Sequence, residues 1–125
     1  MTDQAKKYKG VVELEVCGEH VGFKFGLATT KRNCELEGLK CDADGLEELG
    51  KRLAAQNPTT YLNFYYAAAV SYAKLFNKPE PSFDQVCNWV DNLETSQSEE
   101  ALKTAFLQPN DPNQPALQKE GQSTV

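Results

Sequence analysis

From Tyr61 to Phe76 the chain reads Tyr-Leu-Asn-Phe-Tyr-Tyr-Ala-Ala-Ala-Val-Ser-Tyr-Ala-Lys-Leu-Phe, which as a helix puts apolar side chains on nearly every side. Such a helix has no face suited to water, so it lies at the centre of a fold or is covered by another chain. Asn57-Pro58 marks its start: Asn accepts a hydrogen bond from the first turn, and Pro at the first helical position gives up an amide that would lack a partner. Asn77-Lys78-Pro79-Glu80-Pro81 ends it. A chain of 125 residues has room for one ordinary core, so every other element has to be laid around this helix.

Residues 11–25 alternate apolar and polar on either side of Gly18-Glu19, which predicts a hairpin. Gly in the first turn position suits type II′ and sets Val16 against Val21, Leu14 against Phe23 and Val12 against Phe25, with Glu13 meeting Lys24 on a solvated face. Two strands alone are marginal, so helices must cover the apolar face. Gly26 to Glu37 is predicted as a short helix closed by Gly38, with Leu39 packing back on Cys34. Asp44 with Glu47 predicts the cap of a helix to Gln56 that carries Leu46, Leu49 and Leu53 on one face. Ser82 and Gln85 form a capping box before the stripe Phe83, Val86, Cys87, Val90 and Leu93, and Trp89 falls off that stripe. A last helix is expected from a Ser98 cap to Leu107, with Leu102, Ala105 and Phe106 on its apolar face.

The fold class that results is α+β and mostly α: an N-terminal β-hairpin followed by about five helices in a compact bundle. Residues 1–10 are expected to be a flexible N-terminus, residues 11–107 the single hairpin-plus-helical domain. Pro109, Pro112 and Pro115 among polar residues predict a disordered tail over residues 108–125, because that stretch has too little apolar surface to offset its ordering entropy.

The net charge of -5 argues against a surface that tracks phosphates, so no nucleic-acid partner is expected. No apolar run approaches the roughly 18 to 20 residues that cross a bilayer, so no membrane partner is expected. Met-Thr-Asp-Gln-Ala-Lys-Lys lacks the apolar stretch of a secretory signal, which makes the cytoplasm the expected location. Cys17, Cys34, Cys41 and Cys87 contain no Cys-x-x-Cys, and with His20 alone beside them they write no zinc set; most are expected to be small core residues.

The remaining chemistry is sparse. Cys17 and His20 flank a turn, where an imidazole can activate a thiolate, but no third residue orients the ring and a solvated turn is the better reading. Asp42-Ala43-Asp44-Gly45 has the look of a calcium loop, yet taking Gly45 as its sixth position puts Lys40 first and Lys51 twelfth, where carboxylates are required. Phe23 and Phe25 in Gly22-Phe23-Lys24-Phe25-Gly26 belong to the buried face of the hairpin rather than to a base-stacking surface. No catalytic residue, metal or cofactor is therefore expected, and the chain is expected not to be an enzyme. The over-apolar helix leaves a partner interface as the leading functional feature, with Tyr61, Tyr65 and Tyr72 as candidate contacts and Trp89 next.

Glu35-Leu36-Glu37-Gly38-Leu39 and Leu46-Glu47-Glu48-Leu49 follow a hairpin ending in Phe-Lys-Phe-Gly. The chain continues with Tyr65-Tyr66-Ala67-Ala68-Ala69-Val70-Ser71-Tyr72, Phe83-Asp84-Gln85-Val86-Cys87-Asn88-Trp89-Val90-Asp91 and Ala101-Leu102-Lys103-Thr104-Ala105-Phe106. In order and spacing, these segments over residues 11–107 resemble the tail assembly chaperones of long-tailed bacteriophages and prophages. The resemblance implies a non-enzymatic assembly factor, working in the bacterial host cytoplasm, that binds the tape-measure protein and keeps it soluble until the tail tube forms. It also implies an extended form, made by frameshifting, whose extension recruits tail tube protein. A homo-oligomeric resting state that hides the apolar helix would suit such a role. The alternative that the same composition allows is a small cytoplasmic interaction or regulatory module, adaptor-like or antitoxin-like.

Overall fold

A computed structural model describes residues 8–106. Two antiparallel strands, β1 (Val11–Val16) and β2 (Glu19–Lys24), precede five helices: α1 (Leu27–Leu36), α2 (Ala43–Ala54), α3 (Pro58–Leu75), α4 (Phe83–Asp91) and α5 (Thr95–Phe106). The expected segment 108–125 and Leu107 lie outside the described residues, as do residues 1–7. Residues 8–10 are tied to the fold rather than free: Gly10 carbonyl accepts from Phe25 N–H at 2.8 Å, and the Tyr8 ring meets Phe76 edge-on at 5.8 Å.

The central helix is α3, capped as its sequence demands by the Asn57 side chain accepting from Thr60 N–H at 3.1 Å. Phe64, Tyr65, Ala67, Ala68, Ala69, Val70, Tyr72 and Ala73 are all buried along it. Its all-round apolar surface is thus used largely inside the chain. Phe23 and Phe25 from β2 pack on it, with ring centroids 5.3 Å from Phe23 to Tyr65 and 5.1 Å from Phe25 to Phe64. Val86 of α4 and Ala101 of α5 close this core from the other side, both fully buried.

Strand facing follows the alternation, but the register does not follow the expected turn. The turn residues are Cys17 and Gly18, with φ of 54 and 77, the two positive values of a type I′ turn. Pairing runs Val16 with Glu19, Leu14 with Val21, Val12 with Phe23 and Glu13 with Gly22. The ladder is therefore offset by two residues from the expectation, which keeps every side chain on its face and changes its partner. Lys24 stands opposite Val11 instead of Glu13. The face carrying Glu13 is not solvated either: the Glu13 side chain is 5% exposed beneath Tyr72.

Helix ends obey local chemistry with two shifts. α1 closes at Gly38 with Leu39 N–H donating to Cys34 carbonyl at 2.8 Å, the expected Schellman motif, and α2 and α3 close the same way with Gln56 and Asn77 at φ of 58 and 54. α2 is capped by Asp42, whose carboxylate accepts from Gly45 N–H at 2.8 Å, not by Asp44, so the helix starts earlier than expected. α5 starts at Thr95, and Ser98 lies inside it with its N–H on the Glu94 carbonyl at 2.9 Å. The capping box of Ser82 and Gln85 forms as expected.

A buried carboxylate ties three helices together. Glu37, just past α1, accepts from Arg52 of α2 at 2.9 Å, from Thr60 of α3 at 2.9 Å and from Asn63 of α3. Burial pushes the Glu37 carboxyl up, but those hydrogen bonds and the Arg52 charge outweigh it and hold the group below its ordinary range.

Candidate functional site

The one strand residue that lacks a side chain places the site. At Gly22 the ring of Tyr72 occupies the place where a Cβ would stand, so α3 reaches across β2 at this point only because the strand residue has no side chain. Beside this contact is an open groove of about 280 Å³. Its floor is Gly22 with the small residues Ala69 and Ala73 of α3; Pro79 and Pro81 of the connection to α4 form one side, and Trp89 of α4 forms the other.

The edge of β2 borders this groove. In an antiparallel pair closed by a two-residue turn, the flanking pair exchanges both backbone bonds and alternate pairs repeat that pattern. Val16–Glu19, Leu14–Val21 and Val12–Phe23 fall in that series, so Glu15, Glu13, His20, Gly22 and Lys24 turn their backbone groups outward. Two contacts display that direction: Glu15 carbonyl accepts from Gln97 Nε2 of α5 at 2.7 Å, and Lys24 carbonyl accepts from the Thr29 hydroxyl. α5 covers the β1 edge, whereas His20 and Gly22 line the groove on the β2 edge.

Charge gathers at the groove mouth. Tyr72 Oη donates to Glu13 Oε2 at 2.5 Å, and burial followed by that carboxylate pushes the phenol pKa up, so Tyr72 remains a protonated donor. His20 turns Nε2 to Glu13 Oε2 at 3.6 Å and Nδ1 to Glu15 Oε2 at 3.3 Å. Trp89 Nε1 donates to Glu19 Oε1 at 3.1 Å, and Lys78 Nζ stands 5.6 Å from the centre of the Tyr72 ring. The result is an apolar floor, one aromatic side with a polar tip at Trp89, a proline side, a stretch of strand edge and a rim of both charge signs. That combination fits a polypeptide segment better than a small anion, because main-chain groups and aromatic faces recognise peptide and no cluster of cations is aimed inward.

The structure divides the four candidate contacts. Tyr65 is 2% exposed and Tyr72 6% exposed, so both are core side chains of this chain, and of the two only Tyr72 reaches the groove, with a small exposed edge. Tyr61 is half-buried against the core. Trp89, which the helical stripe left out, points at the hairpin, 6.5 Å and edge-on from Phe23, and is brought together with Tyr72 in the groove. Cys17 is exposed within the turn, and both nitrogens of His20 address carboxylates, so the two are not arranged as thiol and base. Of the four cysteines only Cys34 is fully buried, against the expectation that most are core residues. Among the described residues no group of three His, Cys, Asp or Glu side chains is gathered to hold a metal ion, and no helix is long and apolar enough to cross a membrane.

Gly22 and the connection from Lys78 to Pro81 carry the groove and were not legible as a site. Their partners in space come from segments far apart in the chain, and the only local signal was an isolated Gly within a strand pattern. Comparison of the chain with protein-family models, with curated proteins and with solved structures finds no match.

Proposed function

We propose that this protein is a non-enzymatic tail assembly chaperone of a long-tailed bacteriophage or prophage, binding the tape-measure protein and keeping it soluble in the host cytoplasm while the tail tube assembles. The observation that carries the reading is the open groove beside β2, where Trp89, the edge of Tyr72 and a strand edge surround small apolar residues. The order of hairpin and five helices over the span of the resemblance also supports it. Because Tyr65 and Tyr72 are occupied inside the fold, the client is assigned to the groove rather than to the tyrosine face of α3.

Co-expression with a tape-measure protein of a long-tailed phage tests this. The client should move from the insoluble to the soluble fraction and co-elute with the chaperone on size exclusion. Lys78→Glu on the rim and Trp89→Ala on the wall should both lower the recovered client, with helix content by circular dichroism retained at least in the Lys78 variant, whose side chain is exposed. If the client stays insoluble, or is recovered equally with both variants, the reading fails.

A further inference from the structure

The β2 edge beside the groove is open over two residues and closed beyond them. Phe25 N–H donates to Gly10 carbonyl at 2.8 Å, which extends the series Val12–Phe23, Leu14–Val21 and Val16–Glu19. His20, Gly22 and Lys24 are thereby the residues of β2 whose N–H and C=O point away from β1. Lys24 carbonyl is taken by the Thr29 hydroxyl, and on the opposite edge Glu15 carbonyl is taken by Gln97. Among the described residues nothing bonds the outward backbone groups of His20 and Gly22, and both residues line the groove. Two donors and two acceptors at strand spacing beside a cleft match one chemistry, the backbone of another extended chain.

Charge and side-chain room specify that chain further. Glu13, Glu15 and His20 share one face of the hairpin, with Glu15 directly opposite His20 and Glu13 diagonal to it. Both carboxylates turn to the ring, Glu13 at 3.6 Å and Glu15 at 3.3 Å. A strand laid on β2 sets one side chain next to His20 in this row, where two carboxylates favour a cation. Next to Gly22, which has no side chain of its own, the Tyr72 ring favours an apolar side chain. The residue between them, beside Val21, enters the other face, where Val21 and Phe23 are buried and Trp89 closes the space by bonding Glu19, so a small side chain fits there.

We propose that the client is held as a third, antiparallel strand on β2, by three residues in the order apolar, small, Lys or Arg, opposite Gly22, Val21 and His20. This rests on the assignment of the client to the groove and adds the manner of its capture. The client residues opposite Gly22 and His20 each exchange two backbone hydrogen bonds with their partner, whereas the N–H of the middle residue points away from β2.

The synthetic peptide acetyl-Thr-Val-Ala-Lys-Thr-amide carries that order, and its titration into the isotope-labelled full chain, followed by NMR, tests the proposal. At saturation the His20 and Gly22 amides should exchange with solvent at least about tenfold more slowly, while Val21 and Phe23, already bonded to β1, change little. N-methylation at the peptide's Val or Lys removes a bond and sets a methyl against the edge, so each should weaken binding by about tenfold or more. N-methylation at the Ala should leave binding nearly unchanged, and Glu in place of the Lys should weaken it. Equal losses from the three N-methyl peptides, binding without slowing at His20 and Gly22, or no binding at millimolar peptide would each overturn strand addition. A tape-measure client kept soluble without slowing of these two amides would also overturn it, and would leave the chaperone reading in place. The peptide bound in the expected pattern while the client stays insoluble would uphold strand addition and overturn only the chaperone reading.

Discussion

Replacing Gly22 with Ala tests the contact on which the groove is built. Its φ is not among the positive values, so the substitution imposes no backbone strain and its effect comes from the contact alone. The new methyl would occupy the place of the Tyr72 ring, which has to leave β2. Forcing an extra methyl into packed structure costs about 1–3 kcal/mol. The moving ring also withdraws its hydroxyl from Glu13, a hydrogen bond to a charged group worth about 1.5–3 kcal/mol, and leaves a 5% exposed carboxylate poorly satisfied. These two losses share one motion, so they overlap, and a total of about 3–4 kcal/mol is expected. For a domain of this size that is a fall in melting temperature on the order of 15–25 °C. Urea unfolding followed by circular dichroism measures it, and Tyr72→Ala supplies the control. With the ring gone, Gly22→Ala should cost within about 1 kcal/mol, because Ala suits a strand at least as well as Gly. A change within about 0.5 kcal/mol in the wild-type background, or equal costs in the two backgrounds, would refute the reasoning.

Phe23→Ala should destabilise by about 3–5 kcal/mol through lost burial and a residual cavity, whereas Leu27→Ala, at a side chain 89% exposed, should stay within about 0.5 kcal/mol in the same unfolding assay. Asp42→Ala should cost about 1 kcal/mol by removing the cap of α2, and Asp44→Ala clearly less, a difference that chemical denaturation reads directly. Glu37 has a folded pKa held below its unfolded value of about 4.3, so its contribution is present above that value and is lost as pH falls through the folded pKa. Glu37→Gln should therefore lower stability at pH 7 by about 1–3 kcal/mol and flatten the acid limb of a stability–pH profile below about pH 4.3; an unchanged acid limb would show that the Arg52, Thr60 and Asn63 bonds do not set that limb.

What could be read from the residues was what the chain decides over a few positions. The caps at Asn57 and Ser82 and the closure at Gly38 are bonds between residues three to five apart, and each formed where its residue types pointed. The facing of the hairpin was equally legible, because alternation assigns a face without assigning a partner. Its register was not: an offset of two residues preserves every face, and only the turn distinguishes the alternatives. Gly18 in second place with Cys17 at a positive φ was the outcome that turn-residue preferences favour least, since Cys is not a common left-handed residue. Glu37 with Arg52, Thr60 and Asn63, and Gly22 with Tyr72, join separate elements, and no local pattern encodes them.

The misplacement of Tyr65 and Tyr72 has the same origin. A helix that is apolar all round needs more cover than a two-stranded hairpin can give, if the hairpin is assumed to bury one face only. Here the ribbon gives cover from both. Phe23 and Phe25 take Phe64 and Tyr65 on one face, while Gly22 lets Tyr72 lie across the other, where Val11 and Glu13 receive it. α3 therefore runs beside the β2 edge and touches both faces of the sheet, which buries Tyr65 and most of Tyr72 within the chain. The same arrangement creates the groove, because a helix lined by Ala69 and Ala73 stands back from the strand edge where a larger residue would fill the gap. Enlarging Ala73 to Leu should fill that gap from the floor. It should block client capture while leaving the hairpin's Phe23 and Phe25 packing in place, as the Trp89 fluorescence of the unbound protein would report through its contact with Phe23. Client capture undiminished by Ala73→Leu, with Trp89 emission unchanged, would place the client elsewhere on the chain.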